Sequence, residues 1–420
     1  MIRAFKFRAY CNPTTEKNAL RWLDLCRSLY NAALEQRIMA WQQQRKSLSA
    51  FTQQYDLKYL RAEFPEYADV GSQVLKDVIR RLGKTYDAFF RRIKQGQGKA
   101  GFPKFKGSRY YTSFTFPNAS GWKLHLRYWS DQGWKDITNQ AEIPPYAQQV
   151  KWPRVEYGSL RPRLYLDIKN LGVFKLRGGR IFPRAAVIRT VTVRRESTGK
   201  WFVVFSCDEV PIQPLPEVNR SIALDLGVKR FLTDSDGNVV DNPQFFKKYA
   251  GKLRILNRKL ARQKDGSKRK EATYQERRLL YEKMVRVREF FHCQTALHYA
   301  RTYDTIVVED LSIKKMIEEG KRKRGLSGRI ADVAWGMFLQ RLENKCEEFY
   351  RDYEKVDPAY TTRTCNHCGY CHHRPITTMT FKCPECGNED DRPFNSALNI
   401  EDVAEGNFEK PVRHTGRALT

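Results

Sequence analysis

The sequence predicts an α+β protein of several domains, and three observations support this fold class. The chain has 420 residues, which is more than one ordinary hydrophobic core contains. Residues 10–95 carry apolar side chains at helical spacing, whereas residues 164–207 alternate apolar and polar side chains as antiparallel strands do. From residue 221 onward, short apolar strands are mixed with long helical segments. We therefore expect a helical part, a β-rich part and a mixed C-terminal half.

The charge of the chain favours a polyanionic partner. Its formal net charge is +29, and a protein that neutralises many phosphates gains affinity by releasing their counterions. A membrane surface is the competing polyanion, but the basic residues are spread over most of the chain and no amphipathic anchor or lipidation motif stands out. No apolar run approaches the ~18 residues of a spanning helix. We expect a nucleic-acid partner, no membrane partner and a cytoplasmic location.

The helical part follows a single strand. Alternation over residues 2–10 predicts that strand, and Asn12 with Pro13 offers a helix start, because Asn is a preferred N-cap and proline is tolerated in the first turn. A second amphipathic helix is predicted over residues 71–93. The basic residues on this helix fit either a solvated face or a phosphate contact. They include Arg80, Arg81 and Lys84.

Residues 94–116 mix cations with flat rings. Glycines at four positions keep this backbone open, and such a mixture suits phosphate contact combined with base stacking. Together with the helix before it, the stretch supplies the candidate nucleic-acid contacts. They are Arg80, Arg81, Lys84, Lys99, Lys104, Phe105, Lys106, Arg109 and Tyr110.

The β-rich part is predicted to be an antiparallel barrel or sandwich that includes the N-terminal strand. Residues 122–157 are rich in Trp, Tyr and Pro without a clear period, so they are assigned only as irregular β-structure. The clean alternation over 164–207 contains a turn at residues 197–200. Prolines at positions 211, 214 and 216 then indicate a linker.

Three acidic segments mark the C-terminal half. The strand SIALDLG at 221–227 carries Asp225, the strand TIVVE at 305–309 ends on Glu309, and DDRPFNSALNI at 390–400 leads into a helix. Carboxylates are the ligands that Mg²⁺ prefers, and paired ions about 3.5–4 Å apart clamp the attacking and leaving oxygens of a phosphodiester displacement. The alternative is that each acid is only a soluble strand cap. These segments predict a magnesium site.

Other elements of this half follow from turns and periodicity. Residues 231–240 predict a hairpin that turns at Asp236 and Gly237. Residues 243–303 predict two long helices interrupted at 264–270, and a basic mobile stretch is expected at 320–329. A further helix is predicted over 334–350. Its inward side chains are expected to be Met337, Leu339, Leu342 and Cys346.

A cysteine quartet precedes the third acidic segment. Two C-x₂-C pairs are separated by 14 residues, and a glycine follows each pair. Four thiolates at this spacing form a closed tetrahedral zinc site, which leaves no open position for catalysis. We therefore predict structural Zn²⁺, with Cys371, His372 and His373 as bystanders. The predicted ligands are Cys365, Cys368, Cys383 and Cys386.

These segments together resemble the TnpB family, which comprises transposon-associated relatives of the type V CRISPR effectors. The matching stretches include GFPKFKGSRYYTSFTF, SIALDLGVKRFLTDSDG, IVVEDLSIKKM, WGMFLQRLE, VDPAYTTRTCNHCG, CPECG and FNSALNI. The resemblance covers most of the chain and is strongest after residue 221. It implies a protein that binds a guide RNA and target double-stranded DNA, with base pairing reading the sequence.

The resemblance also implies a domain organisation. An oligonucleotide-binding-like β-barrel wedge domain would comprise 1–10 and 96–215, with a helical recognition domain inserted at 11–95. An RNase H-like RuvC domain would comprise 216–420, with a zinc ribbon at about 360–390. Residues 401–420 are expected to form a disordered tail.

The resemblance assigns Asp225 and Glu309 to the first two RuvC acids, which would hold Mg²⁺. The third acid should lie two positions before Asn395, where this chain has Pro393. Proline has no side-chain oxygen, so we expect an RNA-guided DNA-binding protein with impaired or lost cleavage. The alternative is an active endonuclease in which Asp391 completes the catalytic set. A second alternative is an unguided nucleic-acid-binding transposition accessory.

Overall fold

The computed structural model describes residues 1–96, 101–130, 133–137, 163–177, 186–320, 326–374, 376 and 378–408. The chain divides into two compact units, an N-terminal unit at Met1–Pro211 and a C-terminal unit at Ile212–Thr420. Each combines a sheet with helices, which confirms the α+β class. Within the described ranges, no helix is both long and apolar enough to cross a bilayer.

The N-terminal unit begins with one strand and a helical segment, as predicted. Asn12 caps the first helix, because its side chain accepts a hydrogen bond from the Thr15 amide at 2.7 Å, and Pro13 occupies the first turn. The helix predicted over 71–93 is confirmed within one residue at each end. The elements are β1 (Arg3–Tyr10), α1 (Pro13–Gln44), α2 (Ala50–Tyr55), α3 (Leu57–Glu63) and α4 (Ser72–Lys94), with a 3₁₀ turn at Pro65–Tyr67.

The sheet of this unit has eight described strands, and the N-terminal strand lies inside it. Strand β1 pairs antiparallel with β8 on one side and β6 on the other, so the N-terminal strand belongs to the β-rich part, as predicted. The strand order is β2-β7-β8-β1-β6-β5-β3-β4. The strands are β2 (Ser113–Phe116), β3 (Trp122–Ser130), β4 (Gly133–Ile137), β5 (Arg163–Ile168), β6 (Gly172–Arg177), β7 (Val187–Arg195) and β8 (Trp201–Asp208).

One apolar core serves both the helices and the sheet of the N-terminal unit. Trp22 of α1 packs against Phe114 of β2 with ring centroids 5.5 Å apart, and both side chains are buried. Val74 and Leu75 of α4 belong to the same cluster as Phe205 of β8. The helical segment and the sheet therefore stabilise each other by shared burial.

The C-terminal unit contains a five-stranded sheet of order β11-β10-β9-β12-β13. Strands β9, β10 and β11 are antiparallel, whereas β12 pairs parallel with both β9 and β13. The predicted hairpin is confirmed, and Gly237 at its turn has a φ of +85°, which glycine adopts without strain. The strands are β9 (Ser221–Leu226), β10 (Arg230–Asp234), β11 (Val239–Asp241), β12 (Thr305–Glu309) and β13 (Asp352–Val356).

The helices of this unit include the two long ones that the sequence predicted, with their break at residues 263–267. A two-stranded ribbon, β14 (Thr380–Lys382) and β15 (Glu389–Asp391), flanks the second pair of the cysteine quartet. The helices are α5 (Phe245–Arg262), α6 (Lys268–Thr302), α7 (Ile313–Gly320), α8 (Leu326–Val333), α9 (Trp335–Phe349) and α10 (Arg392–Glu405).

Two expectations for the C-terminal unit are wrong. A disordered tail was expected from residue 401, but α10 continues to Glu405 because Val403 and Ala404 pack against the buried Ala223 and Val307. Residues 409–420 lie outside the described chain. Met337 was expected to face inward, yet it is 37% exposed, since the helix turns Trp335 and Phe338 toward the core instead. Of the basic stretch expected to be mobile, residues 326–329 belong to α8 and 321–325 are not described.

A buried histidine makes the stability of this unit depend on pH. The His292 ring is fully buried between Phe231 and Phe338, and its Nε2 lies 3.0 Å from the Val333 carbonyl oxygen. The pKa of His292 is lowered to about 4, chiefly by burial; the bond to the Val333 carbonyl opposes the shift, and the charges of Arg288 and Arg341 add to it. As pH falls, the unfolded chain binds a proton at this histidine near pH 6.5, whereas the folded chain does so only near pH 4. The neutral histidine therefore costs no stability above about pH 6.5, and the folded state loses stability as pH falls toward 4.

We expect the free energy of unfolding to fall by up to roughly 3 kcal/mol between pH 6.5 and 4 because of this one group. Urea unfolding at several pH values measures the slope. His292→Leu should flatten it relative to the unsubstituted protein, whereas His298→Gln, which changes an exposed histidine on the same helix, should leave it unchanged. Equal slopes for all three proteins would contradict this assignment.

Candidate metal centres

Strands β9 and β12 bring the first two predicted acids together. The parallel register pairs Val308 with Leu224, so Glu309 and Asp225 follow at matched positions of neighbouring strands. Both carboxylic side chains are buried, with residue exposures of 6% and 8%. Ionising both buried acids on adjacent strands is unfavourable, because each charge loses its hydration and the two repel each other. A nearby cation or a shared proton is therefore required.

The carboxylates at this corner of the sheet are close enough to shift the pKa of Asp225. The pKa of Asp225 is raised to about 8, chiefly by burial and then by the charge of Glu309, whereas Arg392 acts in the opposite direction and Asp391 adds a smaller increase. Burial likewise raises the pKa of Glu309. Opposing that increase, the Thr361 hydroxyl donates a hydrogen bond to Glu309 Oε1 at 2.6 Å. A divalent cation would favour the ionised form of both acids.

The third position, where the resemblance predicts an acid, holds Pro393 instead. Pro393 is the second residue of α10 and is buried, and its ring offers no oxygen to a cation. Asp391 lies at the N-cap of that helix, but its side chain makes no capping bond. Its Oδ2 instead accepts a hydrogen bond from Arg230 Nη1 at 2.5 Å, and the side chain is 32% exposed. Asp391 therefore influences Asp225 electrostatically while its carboxylate is paired with an arginine.

The cysteine quartet forms a compact cluster. All four sulfur atoms lie within 4.8 Å of one another, with Cys365 and Cys386 Sγ atoms 3.8 Å apart and those of Cys368 and Cys383 3.5 Å apart. A tetrahedron with zinc–sulfur bonds of ~2.3 Å has edges of about 3.8 Å, so the spacing fits one tetrahedral ion. Cys371 lies apart from this cluster, with its Sγ 3.8 Å from Arg363 Nη2.

The backbone explains why the quartet folds this way. Gly369 and Gly387 follow the second cysteine of each pair and have φ values of +76° and +74°, which glycine tolerates and other residues rarely adopt. Each glycine amide donates back to the carbonyl oxygen of the first cysteine in its pair. The two sharp turns therefore point both thiols of each pair inward, as the C-x₂-C spacing predicted.

The candidate nucleic-acid residues of the N-terminal unit differ in their environments. Arg81 is committed internally, since its guanidinium contacts Asp77 at 2.7 Å and the Ser113 carbonyl oxygen at 2.8 Å. Lys106 is half-buried, and its backbone forms two hydrogen bonds with the Asn31 side chain. Lys99 lies outside the described residues. The exposed members of the set are Arg80, Lys84, Lys104, Phe105, Arg109 and Tyr110.

Two residues at the acidic centre were missed by sequence reasoning. Arg230 pairs with Asp391 across 161 positions of sequence, and no local pattern indicates that contact. Thr361 belongs to a short loop, TTRTC, whose composition gives no sign that one hydroxyl reaches Glu309.

Comparison with known proteins places these features in a family. Profiles described as "Probable transposase", "Cas12f1-like, TNB domain" and "Helix-turn-helix domain" match residues 196–319, 335–400 and 1–46, respectively. A "Putative RNA-guided DNA endonuclease" from Streptomyces pristinaespiralis is 27% identical over 95% of this chain and 88% of its own length. The chain belongs to the TnpB family. The "Helix-turn-helix domain" profile covers β1 and the single long helix α1 in this TnpB-family protein.

Further relatives agree with that assignment. The "Putative RNA-guided DNA endonuclease InsQ" from Escherichia coli (strain K12) is 23% identical over 95% of this TnpB-family chain and 91% of its own length. Among solved structures, a Cas12f1-sgRNA-target DNA complex matches with a TM-score of 0.55 at 16% identity, covering 95% of this chain and 98% of that one. The structure of a mini-RNA-guided endonuclease, CRISPR-Cas_phi3, gives a TM-score of 0.52 at 10% identity, covering 96% and 92%. These structural matches show a shared fold.

Proposed function

We propose that this TnpB-family protein is an RNA-guided double-stranded-DNA-binding protein whose RuvC-like centre has impaired or lost cleavage. The names of its relatives support RNA guidance, because two of them are described as putative RNA-guided DNA endonucleases and match over most of their length. The net charge of +29 suits two nucleic-acid partners. Exposed Phe105 and Tyr110, interleaved with Lys104 and Arg109, suit base stacking beside phosphate contacts.

The observation that carries the loss of cleavage is the chemistry at the third acidic position. Pro393 supplies no ligand, and the Asp391 carboxylate nearest to it in the chain is paired with Arg230 at 2.5 Å. Asp225 and Glu309 remain as two candidate Mg²⁺ ligands. Two carboxylates suffice to attract one cation, but an in-line displacement at two ions requires a full ligand set at fixed geometry.

The domain assignment belongs to the same proposal. A wedge domain of residues 1–10 and 96–215 with a helical recognition domain at 11–95 would bind the RNA and the DNA. Residues 216–420 would form the RuvC-like domain with its zinc ribbon. Zinc held by the four clustered cysteines would stabilise that ribbon as a structural ion. Magnesium, when bound by Asp225 and Glu309, would supply Lewis-acid stabilisation of a phosphate.

A specific observation favours the second candidate, an active endonuclease that uses Asp391. The charge of Asp391 raises the pKa of Asp225, so the third carboxylate acts on the same centre. Release of Asp391 from Arg230 would then free a ligand. The two candidates differ in one result: only the second requires that Asp391→Asn abolish cleavage.

The test of RNA guidance uses the full-length protein purified with its RNA. We expect a defined RNA in the preparation, and binding only to DNA that matches this RNA. RNase treatment before DNA addition should abolish binding. Paired charge reversals at the exposed Lys104 and Arg109 should weaken nucleic-acid binding at least about tenfold, with a reduced salt dependence. Target binding that survives RNase would instead favour an unguided transposition accessory.

A further inference from the structure

A chain of buried polar contacts connects the cysteine cluster to the acidic centre through α10. Asn395 and Asn399 lie one turn apart on this helix, so their side chains share a face. They are buried, with exposures of 0% and 1%. Both contact residues 361–366, the segment that leads into the first cysteine pair. The acidic chemistry described above assigns no role to either asparagine.

Each asparagine is bonded to the backbone of that segment. Asn395 Nδ2 donates to the Thr364 carbonyl oxygen at 2.8 Å, and Asn395 Oδ1 accepts from the Asn366 amide at 3.0 Å. Asn399 Nδ2 lies 2.7 Å from the carbonyl oxygens of Thr361 and Thr364. An amide side chain can donate and accept at once, so this pair satisfies buried backbone groups that would otherwise be costly.

The contacts reach the cysteine cluster through Asn366, which lies between Cys365 and Cys368 in the sequence. Its side-chain amide donates to Asn399 Oδ1 at 3.3 Å and to Asp402 Oδ2 at 2.5 Å. The first C-x₂-C turn is therefore fastened to α10 by a residue between its two thiols. When these thiols are gathered around one ion, the position of Asn366 against the helix is fixed as well.

The other end of the chain is Thr361. Its carbonyl oxygen accepts from Asn399, and its hydroxyl, in a residue with no exposed surface, donates to Glu309 Oε1 at 2.6 Å. Glutamate has several rotatable bonds, so an unsupported carboxylate would sample several orientations. The hydroxyl selects one orientation, and the asparagine bond to the backbone holds the hydroxyl in place.

We propose that Asn395 and Asn399 are positioning residues that couple the folded cysteine cluster to the carboxylate of Glu309 through Thr361. The inference rests on the proposed cation site at Asp225 and Glu309, and it requires cation binding there but no cleavage. It assigns the cysteine cluster a second role besides holding its own ribbon together. Cation affinity at the acidic centre should therefore respond to substitutions that touch neither acid.

The test measures Mn²⁺ binding to the full-length protein by electron paramagnetic resonance, with the metal content of the cysteine cluster determined in parallel. Thr361→Val keeps the shape and removes the hydroxyl, and we expect it to weaken Mn²⁺ binding about tenfold. Thr361→Ser keeps the hydroxyl and should stay within about threefold of the unsubstituted protein. Asn399→Ala should weaken binding about three- to tenfold and speed hydrogen exchange at residues 361–366.

A matched control comes from the N-terminal unit. Asn31 donates to the carbonyl oxygen of Lys106 at 3.0 Å and accepts from its amide at 2.8 Å, which are the same two types of side-chain to backbone bond that Asn395 makes with residues 364 and 366. Asn31→Ala should therefore leave Mn²⁺ affinity unchanged. An equal loss of affinity in this variant would show a general effect of removing a side-chain amide that bonds the backbone, and would contradict the coupling.

Asp225→Ala separates failure of this inference from failure of the proposed cation site. If it leaves Mn²⁺ binding unchanged, the cation site is wrong and the coupling falls with it. If it abolishes binding while Thr361→Val and Asn399→Ala bind like the unsubstituted protein, the cation site stands and the coupling is wrong. Equal losses in Thr361→Val and Thr361→Ser would also overturn the coupling, because the hydroxyl would then not be the group that acts.

Discussion

Replacing Pro393 with Asp is expected to increase Mg²⁺-dependent cleavage of matched DNA by at least about 100-fold. The substitution adds a third carboxylate beside Asp225 and Glu309. Mutating even an outer-shell partner of a metal site typically lowers metal affinity or activity about 10–100-fold, so a direct ligand should contribute at least as much. An acid in the first turn of α10 is also favoured by the helix dipole. Time courses on a plasmid with a matched target measure the increase.

Two variants control this experiment. Pro393→Ala removes the ring without adding an oxygen and should cleave no faster than the unsubstituted protein. Adding Asp225→Ala to Pro393→Asp should return cleavage to background, because the new carboxylate acts only together with the old ones. If Pro393→Asp does not increase cleavage while DNA binding is preserved, the missing carboxylate at residue 393 is not what limits cleavage.

Substituting one clustered cysteine is expected to have the largest effect on stability. Cys383→Ser removes a buried thiol from a cluster whose four sulfur atoms lie within 4.8 Å of one another and which we propose to hold zinc. Binding of a structural ion contributes folding free energy directly, so we expect loss of the metal and at least about 3 kcal/mol less stability in the C-terminal unit. Metal analysis and urea unfolding measure the two effects.

Cys371→Ser is the matched control for that substitution. It changes a nearby cysteine that is not one of the four clustered ones, so metal content and unfolding should match those of the unsubstituted protein. Loss of metal in Cys371→Ser, with retention in Cys383→Ser, would show that the ligand set has been assigned wrongly. Limited proteolysis between residues 361 and 391 provides a second measure of whether the ribbon has unfolded.

The features that could be predicted from the sequence are those set by local patterns. Short apolar runs predicted the strands that carry Asp225 and Glu309, and the burial of both acids follows from their apolar neighbours. The C-x₂-C spacing with trailing glycines indicated the cysteine cluster, because that spacing fixes the turn geometry. Asn12 and Pro13 marked the start of α1 for the same reason: the cap is a contact between near neighbours.

Contacts between distant parts of the chain could not be predicted in this way. The pairing of Arg230 with Asp391 and the bond from Thr361 to Glu309 depend on the folded sheet, and nothing in either local segment encodes them. Arg81 shows the same limit, since composition marked it as a phosphate contact whereas tertiary packing gives it internal partners. Met337 is exposed because of the rotation of α9 about its axis, and packing of the whole core sets that rotation.

The most direct test of the proposed loss of cleavage is a plasmid assay with the intact ribonucleoprotein. The protein is purified with its RNA and incubated with Mg²⁺ and a plasmid that carries the matched target. We predict that the plasmid is bound but stays supercoiled, with no linear product above the level of Asp225→Ala. Clean linearisation by the unsubstituted protein, abolished by both Asp225→Ala and Asp391→Asn, would contradict the account and show that Asp391 completes an active centre.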